Sequence, residues 1–475
     1  MSHNRPPTFR HASFRGLFGL ARVDITPEVG IYSRNWGAAM HDVAESIHRR
    51  LTLTAMSLST PHDGPTLIFV DADLGWWKTP QTYQRFVDRL CTTLDIDPQH
   101  LIFALSHTHS GPPLMEVDDT LPGSTLLQTW QDQFFEKTVQ AIRESLSNPF
   151  SGTLDWDTGR CKLASNRDLP DPDAESGAES GAESGAESPR VICGFNPEKD
   201  SDDTLLLGRI TDEAGKLRAT LTNYACHPTT LAWDNRAISP DYVGAMRETI
   251  EQATGGLALF MLGACGELAP RTQYVNDLSI ADDHGRSLAH ASLAALYGMA
   301  PPATEMSYEA AVESGATLAT WKHDTYEPSA ALDSFNTQVE LPIKNWPSAD
   351  ELEIQRLACK DRALSERLLR KRDIRRFLGD SATYVLQISV WRIGDAVLVG
   401  CCCEPYSTLQ TELRRQFESH SVVCMNLING SLGYLPPAEL YDTDIYPVWQ
   451  TPFDRGSLEK TLQAMTQAIN DVFSE

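Results

Sequence analysis

The sequence of 475 residues has no uninterrupted apolar run approaching the length of a membrane-spanning helix, which argues against an integral membrane protein. It is also short of positive charge: 40 lysines and arginines stand against 64 acidic residues, a formal net charge of −24. Such a chain repels phosphate backbones and anionic lipid surfaces, so nucleic acid is not an expected partner, although the field of a small pocket can differ from the net charge. The opening, MSHNRPPTFRHASFRGLFGLARVDITP, offers only GLFGLA where a secretory leader needs a longer apolar core, and it reads as a cytoplasmic start. Ten cysteines are present, but their spacing is not that of a disulfide framework. Three are adjacent, Cys401, Cys402 and Cys403; neighbours on a strand point to opposite faces, so they read as small apolar filler rather than a thiol cluster.

What is present is ample core material, 41% hydrophobic, arranged as buried strands that end in polar residues. PTLIFVDADLGWW (65–77) reads as a strand, TPQTYQRFVDRLCTTLDI (79–96) as a helix and LIFALSHTHSGPP (101–113) as a second strand, the order of a parallel pair with a crossover. His107 and His109 then project together from a strand end, where working residues of such sheets gather. Two readings stand for the pair, metal ligation and hydrogen-bonded caps on the loop. Asp71 and Asp73 close the preceding strand, either holding the histidines or capping loops. A helix is expected over 124–146, with Trp130, Phe134, Val139 and Ile142 as its core stripe. The repeat AESGAESGAESGAES (174–188) has nothing to anchor a core and reads as a disordered surface insertion at about 170–190.

The pattern then recurs. A hairpin over 205–230 runs into Cys226, His227 and Pro228; a helix over 239–253 is expected with Ser239 as N-cap and Pro240 at its first position. GLALFMLGACGELAPR (256–271) is a strand opening into a turn that carries Glu267. A helix around 281–297 and a charged helix within 349–378, its lysines and arginines taken as a solvated face, precede a hairpin over 383–417 that turns at Gly394 and Asp395. Its second strand ends at Glu404, and VVCMNLINGSLGYLPP (422–437) opens into a loop with Tyr434. Several apolar strands ending in His, Glu or Tyr point to one shared site.

SHTHSGP, NYACHPTT, GACGELAP, CCEPYS and GSLGYLPP, in this order and with ARVDITP near the start, resemble the motifs of the neutral ceramidase family, zinc amidases that cleave the N-acyl bond of ceramide. The resemblance runs from about residue 20 to the end. It implies a fold of mixed β-sheets with helices packed outside, in one catalytic domain (20–475) after an N-terminal extension (1–19). It also implies one zinc ion per chain on His107, His227, Glu404 and Tyr434. By the same resemblance His109 would stand beside the metal and contact the reacting carbonyl, with Arg167 of SNRD and Tyr446 as further active-site residues. Two departures stand out. The family's GDxSP, whose serine has been proposed as a nucleophile, is GELAP here, with Glu267 and Ala269; and the sequence ends where larger members continue into an immunoglobulin-like domain.

The expected chemistry is hydrolysis of an amide, in ceramide or a related N-acyl lipid or small molecule, by zinc-activated water, which needs no serine. Glu267 would orient that water or carry its proton, while His109, Arg167 and Tyr446 stabilise charge on the acyl oxygen. The alternative, motivated by Ala269, is a catalytically inactive zinc-binding protein of the same fold acting as a binding or sensor module.

Overall fold

In the strands LIFVDA and LIFAL every residue is buried, and successive side chains enter different cores. The reason is visible in the computed structural model, which describes residues 7–61, 64–174 and 190–474. Eight strands form the main sheet: β1 (Ala12–Asp24), β2 (Thr52–Ser59), β3 (Leu67–Ala72), β4 (Leu101–Leu105), β5 (Phe150–Arg160), β6 (Thr204–Asp212), β7 (Leu217–Tyr224) and β8 (Leu257–Leu262). Their spatial order is β8-β7-β6-β5-β1-β2-β3-β4. Neighbours are antiparallel except the outermost pairs, β3 with β4 and β7 with β8, which are parallel; the crossover pattern of 65–113 predicts the first of these. A second sheet follows: β9 (Leu332–Pro342), β10 (Thr383–Ile393), β11 (Ala396–Cys401) and β12 (Ser421–Met425), side by side in that order.

The two sheets pack face to face. Phe69 of β3 and Ile102 of β4 meet Trp391 of β10, Leu398 of β11 and Val423 of β12 in one core. Their alternates, Ile68, Val70, Leu101 and Phe103, face the other way, against the helices Pro80–Leu94 and Ser124–Ser147. Val397, Val399 and Val422 likewise face the helices Arg362–Leu378, Thr408–Gln416 and Ser457–Ser474. Helix, sheet, sheet and helix layers thus explain the continuous apolar runs, since a strand covered on both faces has no polar side. The stripe of Trp130, Phe134, Val139 and Ile142 is buried as its spacing predicts. Cys401 and Cys403 are buried among apolar side chains with Cys402 packed against them, and all ten cysteines are free.

Four expectations need correction. Residues 12–18, read as part of an extension, are the first half of β1 and pair with β5. The helix expected from Ser239 begins at Tyr242 with Asp241 as its cap, because the Asp241 carboxylate accepts from both Tyr242 N and Leu231 N, two donors a serine hydroxyl would serve less well. The charged segment is two helices, Ala349–Ala358 and Arg362–Leu378, the second capped by Asp361. Its basic run is not a solvated face: Lys371 is 2% exposed and Arg367 lies over the rings of Trp449 and Tyr446. The hairpin of Thr304–Glu313 with Thr317–Thr325 was not anticipated. The tetrapeptide repeat falls almost wholly outside the described residues. Among those described, no helix is long and apolar enough to cross a membrane.

Candidate metal centre

His107 and His227 follow strands near opposite edges of the main sheet, so they meet only because the sheet curls and its edges are joined. Asp71, in β3, does part of this: its carboxylate accepts from Phe260 N of β8 at 2.9 Å. Arg247, from the helix Tyr242–Thr254, makes a bidentate pair with Asp71 at 2.5 and 2.9 Å and reaches Asp73 at 3.0 Å. The two aspartates therefore serve this seam and are not partners of the histidines. The loop after β12 fills the remaining gap, with Asn426 N donating to Leu262 O and Asn429 N donating to Phe103 O. That loop continues to Tyr434, and the short strand Tyr434–Leu435 pairs in parallel with Glu404–Pro405, setting Tyr434 opposite Glu404.

His107, His227 and Glu404 come together, their ligand atoms all within 4.8 Å of one another. All three are buried. Nδ1 of His107 lies 3.1 Å from Gly75 O and Nδ1 of His227 lies 3.1 Å from Leu268 O. A carbonyl oxygen can only accept, so each Nδ1 carries the proton and each Nε2 presents a lone pair. Both Nε2 atoms face one oxygen of Glu404, at 3.4 Å from His107 and 2.9 Å from His227. Burial, with Arg167 nearby, pushes His227 down to about 4 against the pull of Glu404. Burial raises the Glu404 carboxyl, and only His107 and His227 in their protonated forms hold it well below the usual carboxylate range; with both imidazoles neutral the carboxylate has lost that counter-charge. Neutral imidazole lone pairs facing a carboxylate call for a cation between them, and two imidazoles with one carboxylate are a donor set that suits zinc.

The structure brings most of the other sequence-derived residues to the same place. Arg167 is 5% exposed and donates to Gly266 O at 2.8 Å and Tyr434 Oη at 3.2 Å, and its Nη2 lies 3.3 Å from His227 Nε2. The Tyr434 ring stacks on His227 at 6.3 Å, and Tyr446 meets Tyr434 edge-on at 5.6 Å. The His109 ring is 5.0 Å from His107 and is flanked by Trp36 at 4.7 Å and Trp76 at 4.8 Å. Neither of its ring nitrogens has a protein partner, and burial, with His107 and His227 adding to it, keeps it neutral well below its ordinary value. Glu267 is the exception. Its carboxylate takes the backbone N–H and hydroxyl of Ser407, and its carbonyl accepts from Arg167 N. Burial pushes its carboxyl up to about 7. Ala269, where the family serine would stand, is fully buried, and its carbonyl accepts from the Ser165 hydroxyl.

Sequence reasoning missed the aromatic wall. Trp36, Trp233 and Tyr274 lie within about 6 Å of one another beside His109. Trp76 follows a strand end as His107 does, and that position was the available signal; Trp36 and Trp233 lie on loops with none.

No family model matches the chain. By sequence it matches the neutral ceramidase of Pseudomonas aeruginosa PAO1 at 24% identity over 264 residues, 53% of this chain but 37% of that protein. The match thus spans well under half the length of the curated relative. Among solved structures, a ceramidase complexed with C2 aligns over 98% of this chain and 76% of its own, with a TM-score of 0.65 and 17% identity. The neutral ceramidase from Pseudomonas aeruginosa aligns over 98% and 75%, with a TM-score of 0.66 and 18% identity. The sequence match covers half of the chain and the shared α/β fold nearly all of it, and together they make this chain a homologue of neutral ceramidase.

Proposed function

We propose that the protein is a zinc-dependent hydrolase of an N-acyl amide bond. The observation that carries this is the pair of Nε2 lone pairs facing the Glu404 carboxylate. When bound there, zinc supplies a Lewis acid that lowers the pKa of water to about 7, making a nucleophile without the serine that Ala269 replaces. His107, His227 and Glu404 hold the metal, and Tyr434 joins them on the strength of the family resemblance. His109 is neutral, with both nitrogens unengaged, and so has a proton to donate to an acyl oxygen. Arg167 and Tyr446 add positive charge and a phenol to the same side of the site. Glu267 acts by position rather than at the water, fixing Ser407 through its carboxylate and Arg167 through its backbone. The aromatic wall of Trp36, Trp76, Trp233 and Tyr274 suits an apolar acyl chain.

The test is metal analysis and turnover of a panel of N-acyl amides. Wild type is expected to hold about one zinc per chain, lost in H107A and in H227A. H109A is expected to keep the metal while losing turnover about 100-fold, the usual cost of one such donor. Full activity in H109A would remove that residue's role. Stoichiometric metal with no turnover of any acyl amide or ester would leave the second reading, an inactive metal-binding module, which Ala269 favours.

A further inference from the structure

A cleft of about 900 Å³ reaches the Trp76 indole through Lys78 and Arg370 and carries the opposite sign to the chain as a whole, lined by nine basic and five acidic side chains. Much of its basic rim is matched: Arg372 pairs with Glu353 and Asp373, and Arg362 with Asp42. Its inner end is not. There Arg34 and Arg370 share Glu366, at 3.3 and 2.6 Å, and Lys78 stands beside them with its ammonium 3.7 Å from the centre of the Trp76 ring. Arg34 has a further carboxylate only in Asp42, at 4.0 Å, already engaged by Arg362. Among the described residues, the four cations Arg34, Lys78, Arg362 and Arg370 thus have two carboxylates between them. Burial, with Arg370 adding to it, pushes the Lys78 ammonium well below its ordinary range, as expected for a cation short of a counter-ion.

One indole separates this surplus from the site. The Trp76 ring that Lys78 and Arg370 both approach is 4.8 Å from the His109 ring and 5.5 Å from His107. His109 also meets Trp36, which continues into an apolar wall with Trp233 and Tyr274. An amide held at His109 would therefore have an aromatic surface for its acyl chain and a cationic one for its amine portion.

We infer that the amine portion of the substrate carries a carboxylate, received by Lys78 and Arg370, so that the substrate class is N-acyl amino acids rather than neutral N-acyl amino alcohols. The inference rests on the amide-hydrolase reading. In the reaction, water supplies the oxygen of the new C–O bond, the amide C–N bond breaks, the leaving nitrogen takes a proton, and the products are a fatty carboxylate and a free amino acid. Two cations within reach of one carboxylate are worth most where water is scarce, as beside a half-buried indole.

The experiment compares kcat/KM of zinc-loaded wild type, K78M and R370Q for N-lauroylglycine and for the neutral N-lauroylethanolamine, with zinc content measured on each protein. Wild type is expected to prefer the glycine conjugate at least tenfold. Each variant is expected to lose at least tenfold of that preference, chiefly through KM, with its zinc retained. Equal or reversed preference in wild type, which depends on no variant folding, would overturn the inference while leaving the hydrolase reading intact. So would a preference unchanged in both variants. If wild type hydrolyses neither amide, the wider panel decides the hydrolase reading and calorimetric titration with N-lauroylglycine decides the anion site: saturable binding weakened in K78M sustains it, and absence of binding overturns it.

Discussion

His107 has φ of 70°, in the left-handed region that side chains with a Cβ avoid. Its backbone N–H donates to Leu74 O and its Nδ1 lies on Gly75 O, so the turn after β3 holds the residue in a conformation it would not choose. Such strain costs on the order of 1 kcal/mol or more and persists only where the surroundings over-determine it. The expected outcome is that H107G, stripped of metal, unfolds about 1 kcal/mol harder than stripped H107A, because glycine accepts positive φ freely, while both fail to retain zinc. Urea denaturation of the two chelated proteins checks this; equal stability would mean that the turn is unstrained. SHTHSGP made the side chain a candidate readable in the sequence, although the strand ends at Leu105 and period-two alternation does not extend to His107. Its φ was not readable there. The partners of the Glu267 carboxylate were hidden for a related reason: its burial was foreseeable from the apolar run before it, but the donors it would find on Ser407, 140 residues away, were not.

Among elements, the strand ends were readable because a strand covered on both faces shows as an unbroken apolar run with a sharp polar end. The joining of the sheet edges was not readable. Arg247 appears in YVGAMRETIEQA as one charged residue among several on a helix, and periodicity cannot say that it crosses to Asp71 and Asp73. The pair is almost completely buried, so removing one partner strands charge in the core. R247M is expected to lose about 3 to 5 kcal/mol of stability, and R247M combined with D71N to recover part of that loss, since fewer carboxylates are then left unpaired. Because this seam brings the ends of β4 and β7 together, folded R247M should also bind zinc more weakly than wild type. Denaturant melts and competitive chelation measure the two effects; a loss of stability with metal affinity unchanged would show that the loop through Asn426 and Asn429 joins the edges unaided.

For the whole molecule, net charge was a poor guide to the cleft, since a chain at −24 gathers its basic helix Arg362–Leu378 against it. The same surplus of carboxylates makes stability depend on which acids the fold favours and which it penalises. Asp241 is penalised: burial pushes its carboxyl up to about 6, against the pull of the Leu231 and Tyr242 N–H groups. The folded state then holds a proton that the unfolded chain has released. Between about pH 4 and 6 the native state binds more protons than the unfolded one, so stability falls as pH rises through that window and this contribution levels off above it. D241N removes the titration. The asparagine loses one of the two backbone bonds, a fixed offset at every pH, so the slope is the measurement. Relative to wild type, D241N should gain stability as pH rises from about 4 to 6, by on the order of 3 kcal/mol in all, and the difference should be flat above about pH 7. Urea titrations of both proteins at half-unit pH intervals give that difference directly, and a flat difference across the window would mean that Asp241 is ionised in the fold like an ordinary surface carboxylate.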